Sequence, residues 1–204
     1  ILETYDSRED ADAGPEKLRK AGNLLLPDIS PDIPATPTAT TGTQNQSVLV
    51  SIGKLGGSLD LPNRSPITNV KLSIQDKDDR QFYEKQYGGH YFLEQNAAYA
   101  LDSLARKAQR DGISFTITSA YRDLDHQARI LKKDKKNAAT NSPHSYGGAI
   151  DIQEIASVCR NDDGDLTSNP RINSSVRANN KIFKWLDENG PKYGWYNPAR
   201  LRDG

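Results

Sequence analysis

Residues 27–47 divide the sequence into two parts of different character. This segment, PDISPDIPATPTATTGTQNQS, contains four prolines together with Thr and Ala and has no aromatic residue. Proline fixes φ and has no backbone N–H to donate, so neither a helix nor a central strand is favoured here. We therefore expect residues 1–47 to form a charged N-terminal arm that ends in an extended linker.

The composition excludes several classes of protein. The 27 Lys and Arg residues balance the 27 Asp and Glu residues, so nothing favours binding to nucleic acid or to an anionic membrane. No apolar run approaches the ~20 residues that a transmembrane helix needs. The single cysteine, Cys159, excludes an internal disulfide framework. The chain has no methionine and begins at Ile1, which indicates a processed or cut piece of a longer protein.

Two short strands are expected in residues 48–86. Val48–Ile52 is one candidate, and the alternation of Val70, Leu72 and Ile74 within residues 69–76 is the other. This connector is either a small β element or an attachment arm, and the pattern leaves both open.

From about Tyr87 the pattern becomes regular and predicts α-β-α-β-α-β. We expect a compact α+β domain over residues 87–204, a small antiparallel sheet with flanking helices. The predicted elements are a helix from Leu93 to Ala108 that ends before Gly112, a strand over residues 113–118, a helix over Leu124–Lys135, a strand over residues 147–155, a helix around Ile182–Leu186 and an aromatic strand at Tyr193–Tyr196.

The stretch SPHSYGGAID, residues 142–151, places His144 seven residues before Asp151. Imidazole and carboxylate are both good zinc ligands, and a catalytic zinc usually has three protein ligands and a water. We expect Gly147 and Gly148 to let the backbone pass close to a metal, because glycine has no Cβ. A surface turn with a solvated histidine would show the same two residues.

A second polar stretch, SAYRDLDHQ, follows the strand over residues 113–118. An arginine at a strand end beside a cleft, here Arg122, can bind a carbonyl oxygen and stabilise the oxyanion that forms when water attacks. A surface ion pair is the alternative interpretation.

Together these stretches resemble the zinc D-alanyl-D-alanine carboxypeptidases and L-alanyl-D-glutamate endopeptidases, known as LAS or VanY-like peptidases. That family shows S-x-H-x-x-G-x-A-x-D, and S-x-Y-R with a glutamine five residues after the arginine. The matching positions are Ser142, His144, Gly147, Ala149 and Asp151, then Ser119, Tyr121, Arg122 and Gln127. The tail adds Trp185-Leu186 and the Tyr193-Gly194-Trp195 strand.

The resemblance implies a hedgehog/D-Ala-D-Ala peptidase-type fold and a zinc ion held by His144 and Asp151. It implies that Arg122 stabilises the tetrahedral intermediate. Ser119, Tyr121, Gln127 and Ser142 would shape the cleft or support the ligands. In the family, zinc activates a water and a glutamate transfers its proton to the leaving amine.

The family's glutamate and third ligand come together as E-x-W-H after the aromatic strand, and this sequence has no such motif. Four explanations stay open: a last strand that follows this chain, a catalytically inactive wall-binding or structural module, recruitment of His90 or His126, and a partner chain that supplies the strand. We expect the first. His126 is expected on a helix surface and His90 in a loop or helix cap.

Three further acidic features receive no role. Glu154 is expected to face away from the metal, and Glu188 is expected to be solvated at a helix end. Residues 161–169, NDDGDLTSN, lack the glycine and the glutamate that a calcium loop needs at its sixth and twelfth positions.

The sequence therefore predicts a zinc-dependent peptidoglycan peptidase that cuts stem-peptide bonds involving D-amino acids. Whether it is a carboxypeptidase or an endopeptidase is left open. Because an arm without a secretion signal suits a tail-associated lysin, we expect a phage virion or the extracellular or periplasmic envelope as its location. The arm is then expected to bind other virion or envelope proteins.

Overall fold

In the computed structural model, the described residues are 48–133, 142–155 and 179–197, together with the backbone of Leu2–Thr4. The strands are β1 (Leu2–Thr4), β2 (Leu49–Lys54), β3 (Ser58–Leu59), β4 (Ile67–Leu72), β5 (His90–Glu94), β6 (Phe115–Ser119), β7 (Ala149–Ile152) and β8 (Trp195–Tyr196). The helices are α1 (Lys77–Tyr87), α2 (Gln95–Arg110), α3 (Leu124–Lys133) and α4 (Lys181–Asn189). Short 3₁₀ turns occupy Pro143–Tyr146 and Gly190–Tyr193.

The described strands form a sheet in the order β3–β4–β6–β7–β1–β8 and a separate β2–β5 pair. The pairing of β4 with β6 is parallel, and every other pairing among these strands is antiparallel. The predicted α+β class, a small antiparallel sheet with flanking helices, is therefore confirmed, with one parallel pairing that the sequence analysis did not include.

Helix α2 is the central helix of the core. Its buried face has leucine and alanine at helical spacing, at Ala97, Ala98, Leu101, Leu104, Ala105 and Ala108. The Glu94 carboxylate accepts hydrogen bonds from the first N–H groups of the helix, at 2.8 Å from Asn96 and 3.2 Å from Ala97. This cap ends β5 and begins α2 at the same residue.

Two elements differ from the sequence prediction. Leu93, predicted as helical, lies in β5, where Tyr91 and Leu93 are buried in alternation. The polar segment before it forms α1, which begins with Asp76 accepting from the Asp79 N–H at 2.8 Å and has Tyr83 as its buried residue. The sequence pattern missed α1 because a single buried residue gives no helical periodicity.

The remaining predicted elements form close to their expected positions. β7 is shorter than residues 147–155, because Pro143–Tyr146 is a turn and Gly147 adopts φ +74°. α3 extends to Lys133, and its predicted last two residues lie outside the described ranges. Residues 27–47, the possible calcium loop and Cys159 also lie outside them.

The predicted division of the chain at about residue 87 stays a prediction. β2 pairs with β5, and β4 pairs with β6, so any boundary there cuts across two strand pairings. None of the helices in the described residues has the length and apolar content needed to cross a membrane.

Candidate active site

Backbone hydrogen bonds bring the two conspicuous sequence stretches together. The Arg122 N–H donates to the His144 carbonyl oxygen at 3.1 Å. The Tyr121 N–H donates to the Phe92 carbonyl oxygen at 2.9 Å. The loop after β6 is thereby held between β5 and the turn that contains His144.

Specific residues begin and end the Pro143–Tyr146 turn. Ser142 precedes it, and its Oγ accepts from the His144 N–H at 3.4 Å. Gly147 follows it with φ +74°, and a Cβ there would lie 2.5 Å from the Glu94 nitrogen. We expected this glycine to let the backbone approach a metal, but its close neighbour is instead the backbone of β5.

His144 is a buried imidazole whose tautomer is fixed. Its side chain is 1% exposed, and Nδ1 lies 2.6 Å from the Ala120 carbonyl oxygen. Because a carbonyl can only accept, Nδ1 must have the proton, and Nε2 then keeps its lone pair. Burial and the nearby Arg122 charge lower the pKa of His144, which favours this neutral form.

Asp151 faces this imidazole from β7. Its Oδ1 lies 3.4 Å from His144 Nε2, and its Oδ2 forms an ion pair with Arg122 Nη2. Burial alone would raise the pKa of Asp151, but the ion pair with the Arg122 guanidinium acts against this, and the pKa lies well below its ordinary value. Asp151 is therefore ionised at neutral pH.

Arg122 is held by a small buried network. Its Nε donates to Ser119 Oγ at 2.9 Å, and the same hydroxyl lies 3.3 Å from the Tyr83 OH group. Tyr83 also accepts from the Ala120 N–H at 3.2 Å. Tyr83 is the supporting residue that the sequence analysis missed, since it comes from the unpredicted helix α1; its only sequence signal is the aromatic pair with Tyr87, four residues on.

The geometry fits a metal cation between His144 and Asp151. His144 Nε2 is buried and has no hydrogen-bond partner, although a carboxylate oxygen lies 3.4 Å from it. With the imidazole neutral, a nitrogen lone pair faces a carboxylate oxygen at this distance, and a cation bound to both atoms would stabilise the arrangement; both are common zinc donors. Within the described ranges, no three His, Cys, Asp and Glu side chains are close enough together to hold an ion.

Tyr121, Gln127 and Ser142, the other residues predicted to support the site, are at least half-buried. Tyr121 is half-buried, with its ring centroid 6.3 Å from that of Tyr87. Gln127 is buried on α3, and Ser142 is buried before the turn. Glu154 accepts from the Thr116 N–H at 2.8 Å, and Glu188 is exposed on α4.

Neither alternative histidine occupies its expected environment. His126 is 2% exposed rather than on the helix surface, and its Nδ1 lies 3.1 Å from the Tyr87 OH group. Burial lowers its pKa to about 4. His90 is the first residue of β5, and its Nδ1 lies 2.9 Å from Ser51 Oγ. Each of these histidines therefore has a hydrogen-bond partner away from the His144–Asp151 pair.

The α+β domain thus places a neutral histidine, an ionised aspartate and an arginine side by side at one site. Residues 90–200 match the family model VanY, described as D-alanyl-D-alanine carboxypeptidase. Since this match covers more than half of the 204 residues, the chain belongs to the VanY family. The match supports a peptidoglycan hydrolase of the D-Ala-D-Ala carboxypeptidase type. No curated protein matches the chain significantly.

Proposed function

We propose that this chain is a zinc-dependent peptidoglycan peptidase that hydrolyses a stem-peptide bond next to a D-amino acid. The observation that supports zinc most directly is the buried Nε2 of His144, which has no hydrogen-bond partner and lies 3.4 Å from Asp151 Oδ1. In this proposal, His144 and Asp151 are two of the ligands of the zinc ion. When bound, zinc supplies a Lewis acid that polarises a carbonyl and activates water.

Arg122 is the proposed electrophilic residue. Its Nε is committed to Ser119 and one Nη2 proton to Asp151, so the Nη1 end can donate to a substrate oxygen. Ser119 and Tyr83 restrict the guanidinium to one orientation, and this lowers the reorganisation needed when negative charge develops on that oxygen.

Zinc titration and peptide cleavage test this proposal together. The full chain, stripped of metal with a chelator, is titrated with zinc by calorimetry and then incubated with synthetic stem peptides that end in D-Ala-D-Ala. Mass spectrometry of the products distinguishes release of the terminal D-Ala from cleavage between L-Ala and D-Glu. We expect one zinc per chain and cleavage that stops when the chelator is added.

His144→Ala is the decisive variant and His90→Ala its matched control. Both remove a histidine, but His90 contacts Ser51 rather than Asp151. His144→Ala is expected to lose zinc binding and cleavage, because two remaining ligands rarely retain zinc. His90→Ala should keep both activities. Cleavage that survives the chelator and His144→Ala contradicts the proposal, and zinc binding without cleavage of any peptide favours a wall-binding module.

The location in a phage tail or a bacterial envelope stays a prediction. It depends on the arm over residues 1–47, most of which lies outside the described residues. Detection of the protein in purified virions or in a cell-envelope fraction by peptide mass spectrometry tests this prediction, and its recovery from the cytoplasm alone contradicts it.

A further inference from the structure

Three aromatic side chains form a contiguous surface beside the candidate active site. Tyr87 is the last residue of α1, Phe92 lies in β5, and Tyr121 directly precedes Arg122. The Tyr87 ring centroid is 6.5 Å from that of Phe92 and 6.3 Å from that of Tyr121. Each of the three residues is half-buried, so part of each remains accessible to solvent. These three rings are called the aromatic platform below.

Backbone hydrogen bonds connect the platform directly to the site. The Phe92 carbonyl oxygen accepts from the Tyr121 N–H at 2.9 Å, and the next N–H, that of Arg122, donates to the His144 carbonyl oxygen at 3.1 Å. The platform therefore has a fixed position relative to both residues, and a molecule bound at the site can extend onto it.

The orientations of the rings leave ring faces for a ligand. The ring planes of Tyr87 and Phe92 are inclined at 71°, and those of Tyr87 and Tyr121 at 61°. In an edge-to-face pair one ring presents its edge, so the contact covers neither face of that ring. The Tyr87 hydroxyl accepts from the Asp123 N–H at 3.1 Å and lies 3.1 Å from His126 Nδ1. Because the central ring is held in this way, a flat apolar ligand can stack on the platform with little reorganisation.

Polar side chains border the platform. Ser51 is opposite Phe92 in the register of β2 and β5, so the two side chains share a face of this strand pair. Gln86 is exposed, and its Nε2 donates to Asp123 Oδ2 at 2.6 Å. A sugar ring has apolar C–H faces with hydroxyl groups around its edge, and hydroxyl, amide and carboxylate side chains all hydrogen-bond such groups. Aromatic rings bordered by these polar groups therefore match a carbohydrate.

The backbone of β5 argues against a peptide strand as the occupant. A peptide that adds to a sheet needs free N–H and C=O groups along the strand edge. The Phe92 carbonyl oxygen already accepts from Tyr121, and the Glu94 N–H already donates to the Gly147 carbonyl oxygen at 3.0 Å. Recognition on this surface thus depends on side chains rather than on strand addition.

We propose that the aromatic platform binds a sugar of the peptidoglycan glycan strand while the attached stem peptide occupies the active site. The stem peptide is joined covalently to a sugar of that strand, so one substrate molecule contacts both surfaces. Binding energy from a part of the substrate remote from the scissile bond can raise kcat/KM. This inference rests on the proposed function, which supplies the stem peptide.

Binding of the sugar alone tests the platform without reference to cleavage. Calorimetry measures the affinity of the full chain for a peptide-free tetrasaccharide of alternating N-acetylglucosamine and N-acetylmuramic acid. Phe92→Leu keeps an apolar side chain but removes the ring, and we expect the affinity to fall by about tenfold. Phe92→Tyr keeps the ring and should bind like the wild type.

A matched control removes a ring elsewhere. Tyr99 is 40% exposed on α2, and Tyr99→Leu should leave the saccharide affinity unchanged. Near-UV circular dichroism checks the fold of each variant. In the peptide assay, the wild type should cleave a disaccharide-linked pentapeptide with a higher kcat/KM than the free pentapeptide, and Phe92→Leu should reduce this preference.

The outcomes separate this inference from the function on which it rests. Saccharide affinity that depends on Phe92, in a chain that cleaves no stem peptide, supports the platform and overturns the proposed peptidase. Equal kcat/KM for the two peptides without saccharide binding overturns the platform and leaves the peptidase intact. Equal saccharide affinities of Phe92→Leu and Tyr99→Leu also overturn the platform.

Discussion

At the scale of single residues, the contacts of Arg122 lead to a prediction that separates metal binding from catalysis. Arg122→Ala removes the guanidinium from Asp151 but removes neither of the two proposed ligands. We expect zinc stoichiometry to be kept and kcat/KM to fall by about 10²–10³-fold, the usual effect of losing one oxyanion donor. Calorimetry and the peptide assay measure the two effects on the same sample.

Arg122→Lys is the informative companion variant. Lysine keeps the positive charge but lacks the planar fork that contacts Ser119 and Asp151 at once. Its activity should lie near that of Arg122→Ala if orientation matters, and near wild type if charge alone matters. Unchanged kcat/KM in both variants would remove Arg122 from the mechanism.

The residues of the site differ in how visible they are in the sequence. His144, Asp151 and Arg122 lie in two short stretches that match the motifs of a known family, and the structure brings them together. Tyr83 was not predictable in this way, because its helix is polar and its contact with Ser119 spans 36 residues. His126 packs against aromatic rings of the same helix, with its ring centroid 4.6 Å from that of Phe82 and 5.2 Å from that of Tyr83. Missing α1 therefore caused both errors.

At the scale of secondary-structure elements, the Pro143–Tyr146 turn depends on close packing against β5. Gly147→Ala would place a Cβ 2.5 Å from the Glu94 nitrogen, at a residue with φ +74°. The left-handed conformation costs an alanine roughly 1–2 kcal/mol, and the clash with backbone adds to this. We expect a loss of stability above that range and weaker zinc binding, since His144 moves with the turn; urea unfolding and calorimetry measure both.

Gly112→Ala is the matched control for the turn. Gly112 also has a positive φ, +68°, but a Cβ there would meet no atom within 4 Å. The Gly112→Ala substitution should lower the free energy of unfolding only by the conformational penalty, roughly 1–2 kcal/mol, and it should leave zinc affinity unchanged. Equal effects of the two substitutions on stability and on zinc affinity would mean that contact with β5 does not position His144.

Elements with strong periodicity were predictable, and those defined by long-range pairing were not. Helix α2 shows its buried leucines and alanines in the sequence, and β6 shows its alternation. The place of β1 between β7 and β8 depends on partners more than 140 residues away, and three residues give no periodic signal. Leu93 of β5 was predicted to belong to α2, because no loop separates the two elements: Glu94 is both the last residue of β5 and the N-cap of α2.

At the scale of the whole molecule, the family match and the folded unit have different boundaries. The match begins at residue 90, but residues 48–86 contribute eight buried apolar side chains to the core. They are Ile52, Leu59, Leu61, Ile67, Val70, Leu72, Ile74 and Tyr83. This segment also provides β2 and β4, the pairing partners of β5 and β6. The connector is thus part of the structure that supports the site.

A chain of residues 87–204 is therefore expected not to fold cooperatively. Burial of each large apolar side chain contributes about 1.5–3 kcal/mol, so the loss of eight approaches or exceeds the roughly 5–15 kcal/mol by which a domain is stable. A chain of residues 48–204 lacks β1 but keeps these side chains and both pairings, and it should show a single urea transition. A cooperative transition for residues 87–204 would mean that the matched region folds alone, and that β2 and β4 only cover it.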